Sequence, residues 1–88
     1  MSEKNNSIID EIAKVLSNSS YTIQKREEIA SYLNTEPAII SQLRRREATE
    51  YEFFKEIVSA WFAKNGVNAS KEKFIEIMRK EGFNEAAG

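Results

Sequence analysis

Cysteine and histidine are both absent from these 88 residues, and each absence removes chemistry. Without cysteine there is no disulfide framework, no zinc knuckle and no thiol nucleophile. Without histidine, the usual general base at neutral pH and the commonest metal ligand are missing too. Glycine occurs only at 66, 82 and 88, so there is no glycine-rich phosphate loop. Pro37 is the one proline. No apolar run approaches the roughly 20 residues that a helix needs to span a bilayer. Met1 to Ser7 is polar and lacks the apolar segment of a signal peptide. The sequons at Asn5, Asn18 and Asn68 are accordingly read as chance. A small domain holding together without disulfide or metal suits a reducing compartment. The expected location is cytoplasmic, with the nucleus as the alternative.

Charge of one sign is also lacking. Thirteen basic and fourteen acidic residues leave a net charge of −1, so no global field draws the chain to nucleic acid or an acidic membrane. The apolar fraction of 41% with 31% charged residues suits one folded domain, not a disordered chain. The carboxylate pairs Asp10/Glu11, Glu27/Glu28 and Glu50/Glu52 do not suggest acid–base work, because neighbours on a helix diverge and nothing nearby would shift a pKa usefully. Catalysis is not expected, and neither is a cofactor, a metal or a small-molecule ligand.

What is present is helical periodicity. Ile8, Ile9, Ile12, Ala13 and Leu16 form one stripe, with Ser7 as its expected N-cap after a disordered tail over residues 1–6. Asp10 and Glu11 then fall where the helix dipole favours negative charge. The run from Ser17 to Ser20 breaks that helix, since these side chains compete for backbone hydrogen bonds. A second helix is predicted from about Thr22 to Leu33, with Ile29, Ala30 and Leu33 inward and Asn34 suited to its end. Thr35 is the expected cap of a third, with Pro37 in the first turn and Ile39, Ile40 and Leu43 on its apolar side. Thr49 and Glu52 form a T-x-x-E capping box before the most hydrophobic segment, Phe53, Phe54, Ile57, Val58, Trp61 and Phe62. Gly66 is expected to close that central helix. Ser70 opens a fifth, with Phe74, Ile75 and Met78 inward, and Gly82 ends it. Phe83 to Ala87 has room for one last short turn. No segment alternates as a strand would. Asp10 with Lys14 and Glu76 with Lys80 have the spacing of helix-surface ion pairs.

The stretch Ile57-Val58-Ser59-Ala60-Trp61, then Asn65-Gly66-Val67-Asn68-Ala69-Ser70, then Phe74, Met78, Gly82 and Ala86 resembles the C-terminal half of a death domain. Glu28-Ile29-Ala30, Leu33, Ile39-Ile40 and Leu43 are similar to the family's second and third helices. Where the family usually carries a tryptophan in helix two, this chain has Arg26, and Tyr21, Ile23 or Tyr32 is left to fill the space. Residues 61–69 are most similar to the death domain closing a subunit of the mRNA-export THO complex. The resemblance implies an all-α, antiparallel six-helix bundle of death-fold type over residues 7–88, with a short last helix. It implies homotypic or heterotypic assembly with other death-fold domains, itself included, joining receptor, adaptor and effector in apoptotic or innate-immune signalling.

Such binding needs charged faces. Arg44, Arg45 and Arg46 at the end of the third helix are the most concentrated charge in the chain, and arginine's planar donor fork suits interfaces. The same residues also complement a helix dipole, which requires no partner. Further candidates are Lys25, Arg26, Glu27 and Glu28 on helix two, and Asp10, Glu11, Lys14, Glu52 and Lys55 on helices one and four. An alternative is a helix-turn-helix over residues 28–47, presenting Ser41, Gln42, Arg44 and Arg45 to a major groove. Glu27, Glu28, Glu36, Glu47 and Glu50 would repel phosphate, which argues against nucleic acid as a partner.

Overall fold

Capping and turn chemistry sets many of the helix boundaries, and six α-helices result in the computed structural model, which describes residues 2–82. They are α1 (Ser2–Ser17), α2 (Ser20–Gln24), α3 (Arg26–Tyr32), α4 (Pro37–Arg45), α5 (Glu50–Asn65) and α6 (Lys71–Lys80), with a 3-10 turn over Gly66–Asn68. No strand occurs among the described residues. None of the helices is long and apolar enough to cross a membrane. The last short turn expected over Phe83 to Ala87 lies outside the described residues.

Several starts and stops fall where the sequence puts them. Ser70 caps α6, Thr49 with Glu52 makes both bonds of the capping box at the head of α5, and Gly66 is the C-cap of α5. Others differ. α2 starts at Ser20 under the cap of Ser19, ahead of the start expected near Thr22. α1 begins at Ser2, so Ser7 is an internal residue and residues 2–6 of the stretch expected as a tail lie within the helix. No glycine or proline interrupts residues 2–7, and nothing there obliges a later start. Asp10 and Glu11 are therefore not in the first turn. The single helix expected over 22–33 divides at Lys25, whose φ of −100° and ψ of 16° end α2 and open α3.

Two turns share one chemistry. At the end of α3, Asn34 adopts φ 58°, its N–H donates to the Ser31 carbonyl, and the Thr35 N–H donates to the Ala30 carbonyl. At the end of α4, Glu47 adopts φ 52°, with Glu47 N–H to Arg44 and Ala48 N–H to Leu43. Both are Schellman closures. The first of them explains why Thr35 does not cap α4: it is already the last residue of α3's closure. Glu36 is the N-cap instead, and Pro37 follows in the first position.

The core is one cluster built on α5, with α1 packed along it as the principal helix pair. Phe54, Ile57 and Val58 are wholly enclosed, and Trp61 is 6% exposed. The indole meets Phe62 and Phe74 edge-on at 5.1 and 5.7 Å between ring centroids, the geometry that aromatic quadrupoles favour. Ile9, Ile12, Ala13, Leu16, Ile29, Ala30, Leu33, Leu43, Phe53, Phe74 and Met78 complete it. Ile75, expected inward, is only partly buried, and Ile77 packs on the core in its place. Phe74, Ile77 and Met78 share one face at three- and four-residue spacing, and Ile75 turns off it. The radius of gyration is 11.9 Å, close to the roughly 12 Å expected for a compact chain of this length.

Candidate functional site

The arginines at the end of α4 stand where a helix terminus meets a turn. Arg44 and Arg45 occupy the last turn of α4 and Arg46 is its C-cap, so their charges lie beside the helix's free carbonyls. Glu47 then reverses the chain in a left-handed conformation that L side chains seldom adopt. Ala48 and Thr49 lead into α5. A short, hydrogen-bonded corner thus holds three cations in one place.

The three are not equivalent. Arg44 reaches back to α3 and grips Glu27 with two parallel bonds, Nε to Oε2 at 3.1 Å and Nη2 to Oε1 at 2.6 Å. This fork is the arrangement arginine forms best with carboxylate. It holds the Glu27 carboxyl below its ordinary range and raises the Arg44 guanidinium above its own. Arg44 is therefore committed within the chain. Arg45 and Arg46 are exposed and have no partner among the described residues.

Beneath the corner lies a small groove of about 210 Å³, lined by Arg26, Glu27, Leu43, Arg44, Glu47, Ala48 and Phe53. Arg26 takes the position where a tryptophan was missing. Its guanidinium lies 5.9 Å over the Phe53 ring, donates to the Ile23 carbonyl at 3.0 Å and approaches Glu50 at 3.9 Å. Cation–π contact thus ties α3 to α5. Ile23 and Tyr32 also pack on the core here, whereas Tyr21 is 42% exposed. Lys25 and Glu28 pair at 3.7 Å along α3.

The remaining candidates form a second group, on α1 and α5. Asp10 accepts the Tyr51 hydroxyl and pairs with Lys14 at 3.1 Å. The Tyr51 bond, then Lys14, lowers the Asp10 pKa, and the same bond raises that of Tyr51. Lys55 lies 5.7 Å from the Tyr51 ring centroid, and Glu11 pairs with Lys71 of α6 at 3.1 Å. Glu52 accepts from the Thr49 N–H at 3.0 Å within the capping box. The first turn of α5 bridges the two groups, since Glu50 faces Arg26 and Tyr51 faces Asp10. The expected Glu76–Lys80 pair does not form, and both residues are exposed with no partner among the described residues.

Ten of the twelve candidate residues thus contact another side chain or the backbone, and Arg45 and Arg46 are the two with no partner among the described residues. Sequence reasoning missed Glu47 and Phe53 as parts of the corner. The left-handed turn at Glu47 has no signal in a residue type that normally avoids it.

α3, the turn from Leu33 to Glu36, and α4 also have the order of a helix-turn-helix, with Ala30 and Leu43 buried and Ile40 partly so. Gln42 and Arg45 are exposed on α4, Ser41 is half-buried, and Arg44 is held by Glu27. No group of histidine, cysteine or carboxylate residues among those described is arranged to hold a metal ion. Comparison with protein families, curated proteins and solved structures yields no match for this chain.

Proposed function

We propose that this chain is a protein-binding module that assembles with other death-fold domains, its own copies included, and makes or breaks no covalent bond. The observation that carries the reading is the α4–α5 corner, where Arg45 and Arg46 stand exposed and, among the described residues, unpaired on a chain of nearly balanced charge. A guanidinium pair without a partner among the described residues, on a hydrogen-bonded turn, is suited to an acidic surface on a partner. Its carboxylates would replace water at little conformational cost to the corner. The sequence resemblance through Trp61, Ala69, Ser70, Phe74 and Met78 supplies the class of partner, and with it a role in receptor–adaptor–effector recruitment. The paired charges on α1, α3 and α5 are given the secondary part of shaping the rim.

The test is charge reversal. In the double variant Arg45→Glu, Arg46→Glu, co-sedimentation with a death-domain partner is expected to be abolished, with helicity by circular dichroism unchanged. Arg44→Glu would confuse the result, because it also breaks the fork to Glu27. Retained binding by the double variant removes the corner from the interface.

A DNA-binding reading draws on the helix–turn–helix order of α3 and α4. Glu27 neutralises the arginine that would otherwise face phosphate, and Glu28, Glu36 and Glu47 crowd the same unit. If DNA is the ligand, a mobility shift is expected at low salt and should weaken steeply as salt is added. A shift of that kind, lost in the double variant, would favour DNA over a protein partner.

A further inference from the structure

The junction between α5 and α6 contains the one Asn-Gly pair of the chain, Asn65-Gly66. Such a pair is prone to a reaction that needs no enzyme. The backbone nitrogen of Gly66 attacks the Asn65 side-chain carbonyl carbon, Cγ, and a ring forms with a new N–Cγ bond. The Cγ–Nδ2 bond breaks, and ammonia leaves with the proton that the Gly66 nitrogen gave up. Water then opens the succinimide at either carbonyl, leaving aspartate or isoaspartate. Glycine is the most permissive following residue because no side chain hinders the approaching nitrogen, and around Gly66 an added Cβ would meet nothing within 4 Å.

Three features of the fold oppose that attack. The Gly66 N–H donates to the Phe62 carbonyl and is bound into the last turn of α5. The Asn65 Nδ2 donates to the Trp61 carbonyl at 2.8 Å, which turns the amide back along the helix. The Asn65 backbone is helical, with ψ −15°, and does not aim the next nitrogen at Cγ. Both nitrogens of the reaction are thus bound to carbonyls of residues whose side chains lie in the core, Trp61 and Phe62. The reaction requires the end of α5 to open.

We propose that Asn65 is a spontaneous modification site gated by the last turn of α5, so that conversion records how often that turn comes apart. The product is not neutral to the fold. Either acid loses the Nδ2 donor to Trp61 and places a negative charge at a helix C-terminus, where the dipole disfavours it. Isoaspartate also lengthens the main chain by one carbon just before the 3-10 turn that leads to Ser70 and α6. The Trp61–Phe74 contact between α5 and α6 spans this same junction. Conversion therefore loosens the attachment of α6, and it does so irreversibly.

The test compares the whole chain, native and in denaturing urea, at mildly alkaline pH. Conversion is followed by the mass change that accompanies replacement of NH2 by OH, and the site is assigned by peptide mapping with isoaspartate capture. Conversion at Asn65 is expected in both, slower in the native chain by on the order of tenfold or more, as for other reactions limited by local opening. Hydrogen exchange of the Gly66 amide should show protection of similar size, because the same opening exposes it. The variant Asn65→Gln should lose the fast conversion in urea whether or not it folds. Equal rates in the native and denatured chains would overturn the gate. Faster conversion at another asparagine in urea, or none at Asn65, would overturn the site.

Discussion

At the residue scale, the one fully buried polar side chain among the described residues is Thr22. Its hydroxyl donates to the Leu16 carbonyl and lies 3.0 Å from that of Ser19, serving the end of α1 and the start of α2 together. A valine there has the same shape and no donor, so Thr22→Val leaves the Leu16 carbonyl without that bond in a dry place. The expected loss is about 1–3 kcal/mol, read as a lower midpoint of urea unfolding at unchanged slope. A variant as stable as the parent would show that water reaches that carbonyl. Trp61 is the other residue whose role depends on enclosure. Truncation to alanine is expected to cost about 3–5 kcal/mol, which in a domain this small approaches the whole margin. Its fluorescence should resist iodide until the chain unfolds, and ready quenching in the folded state would contradict its place against Phe62 and Phe74.

At the scale of elements, the ends of helices carry the information. Asn34 and Glu47 do the same work in two Schellman closures, but asparagine tolerates the left-handed region and glutamate does not. Glu47→Gly should therefore stabilise the fold by roughly 1 kcal/mol, visible in the unfolding midpoint. If the exchange destabilises instead, the Glu47 side chain has a role in the groove beside Phe53 that its backbone does not reveal. The opposite change tests the end of α5. Gly66 has φ 57° with ψ −125°, and open space surrounds it, so Gly66→Ala isolates backbone strain from crowding. A loss of roughly 1–3 kcal/mol is expected, again by denaturant midpoint. The split between α2 and α3 belongs to this scale too. Lys25 ends one helix and begins the next, and the α3 side of that break sets Arg26 over Phe53.

At the scale of the whole molecule, stability against pH follows from which groups exist. No side chain in the chain has an ordinary pKa between about 5 and 8, because histidine is absent. A flat profile is expected there. Asp10 and Glu27 have pKa values lowered by Tyr51 and by Arg44 respectively. Lowered carboxylates contribute stability above their unfolded pKa, and that contribution is lost as pH falls through the folded value, so the drop begins near pH 4 and continues below it. Tyr51 has the opposite sign. Its pKa is raised by the bond to Asp10, so its contribution is complete below about pH 10 and lost as pH rises past that. Thermal midpoints across the pH range should show a plateau with a shoulder at each end. Tyr51→Phe should remove the alkaline shoulder and shrink the acid one, and an unchanged acid limb would mean that Glu27 accounts for nearly all of it.

Composition and periodicity alone were enough to determine an all-helical chain, the inward residues of α5, the capping box at Thr49 and Glu52, and the stops at Asn34 and Gly66. These depend on residues three or four apart, and their physics is local. Ser7 and Thr35 misled because a good capping residue is only an offer. α1 continued upstream of Ser7 without a breaker, and Thr35 was already engaged in closing α3. The candidate site was legible as a list of charges and not as a site. Sequence places Arg44, Arg45 and Arg46 side by side, but only the approach of α3 to α4 decides that Arg44 is taken by Glu27 while its two neighbours have no partner among the described residues. Pairing across 17 residues depends on how helices pack, and no spacing rule along the chain contains that.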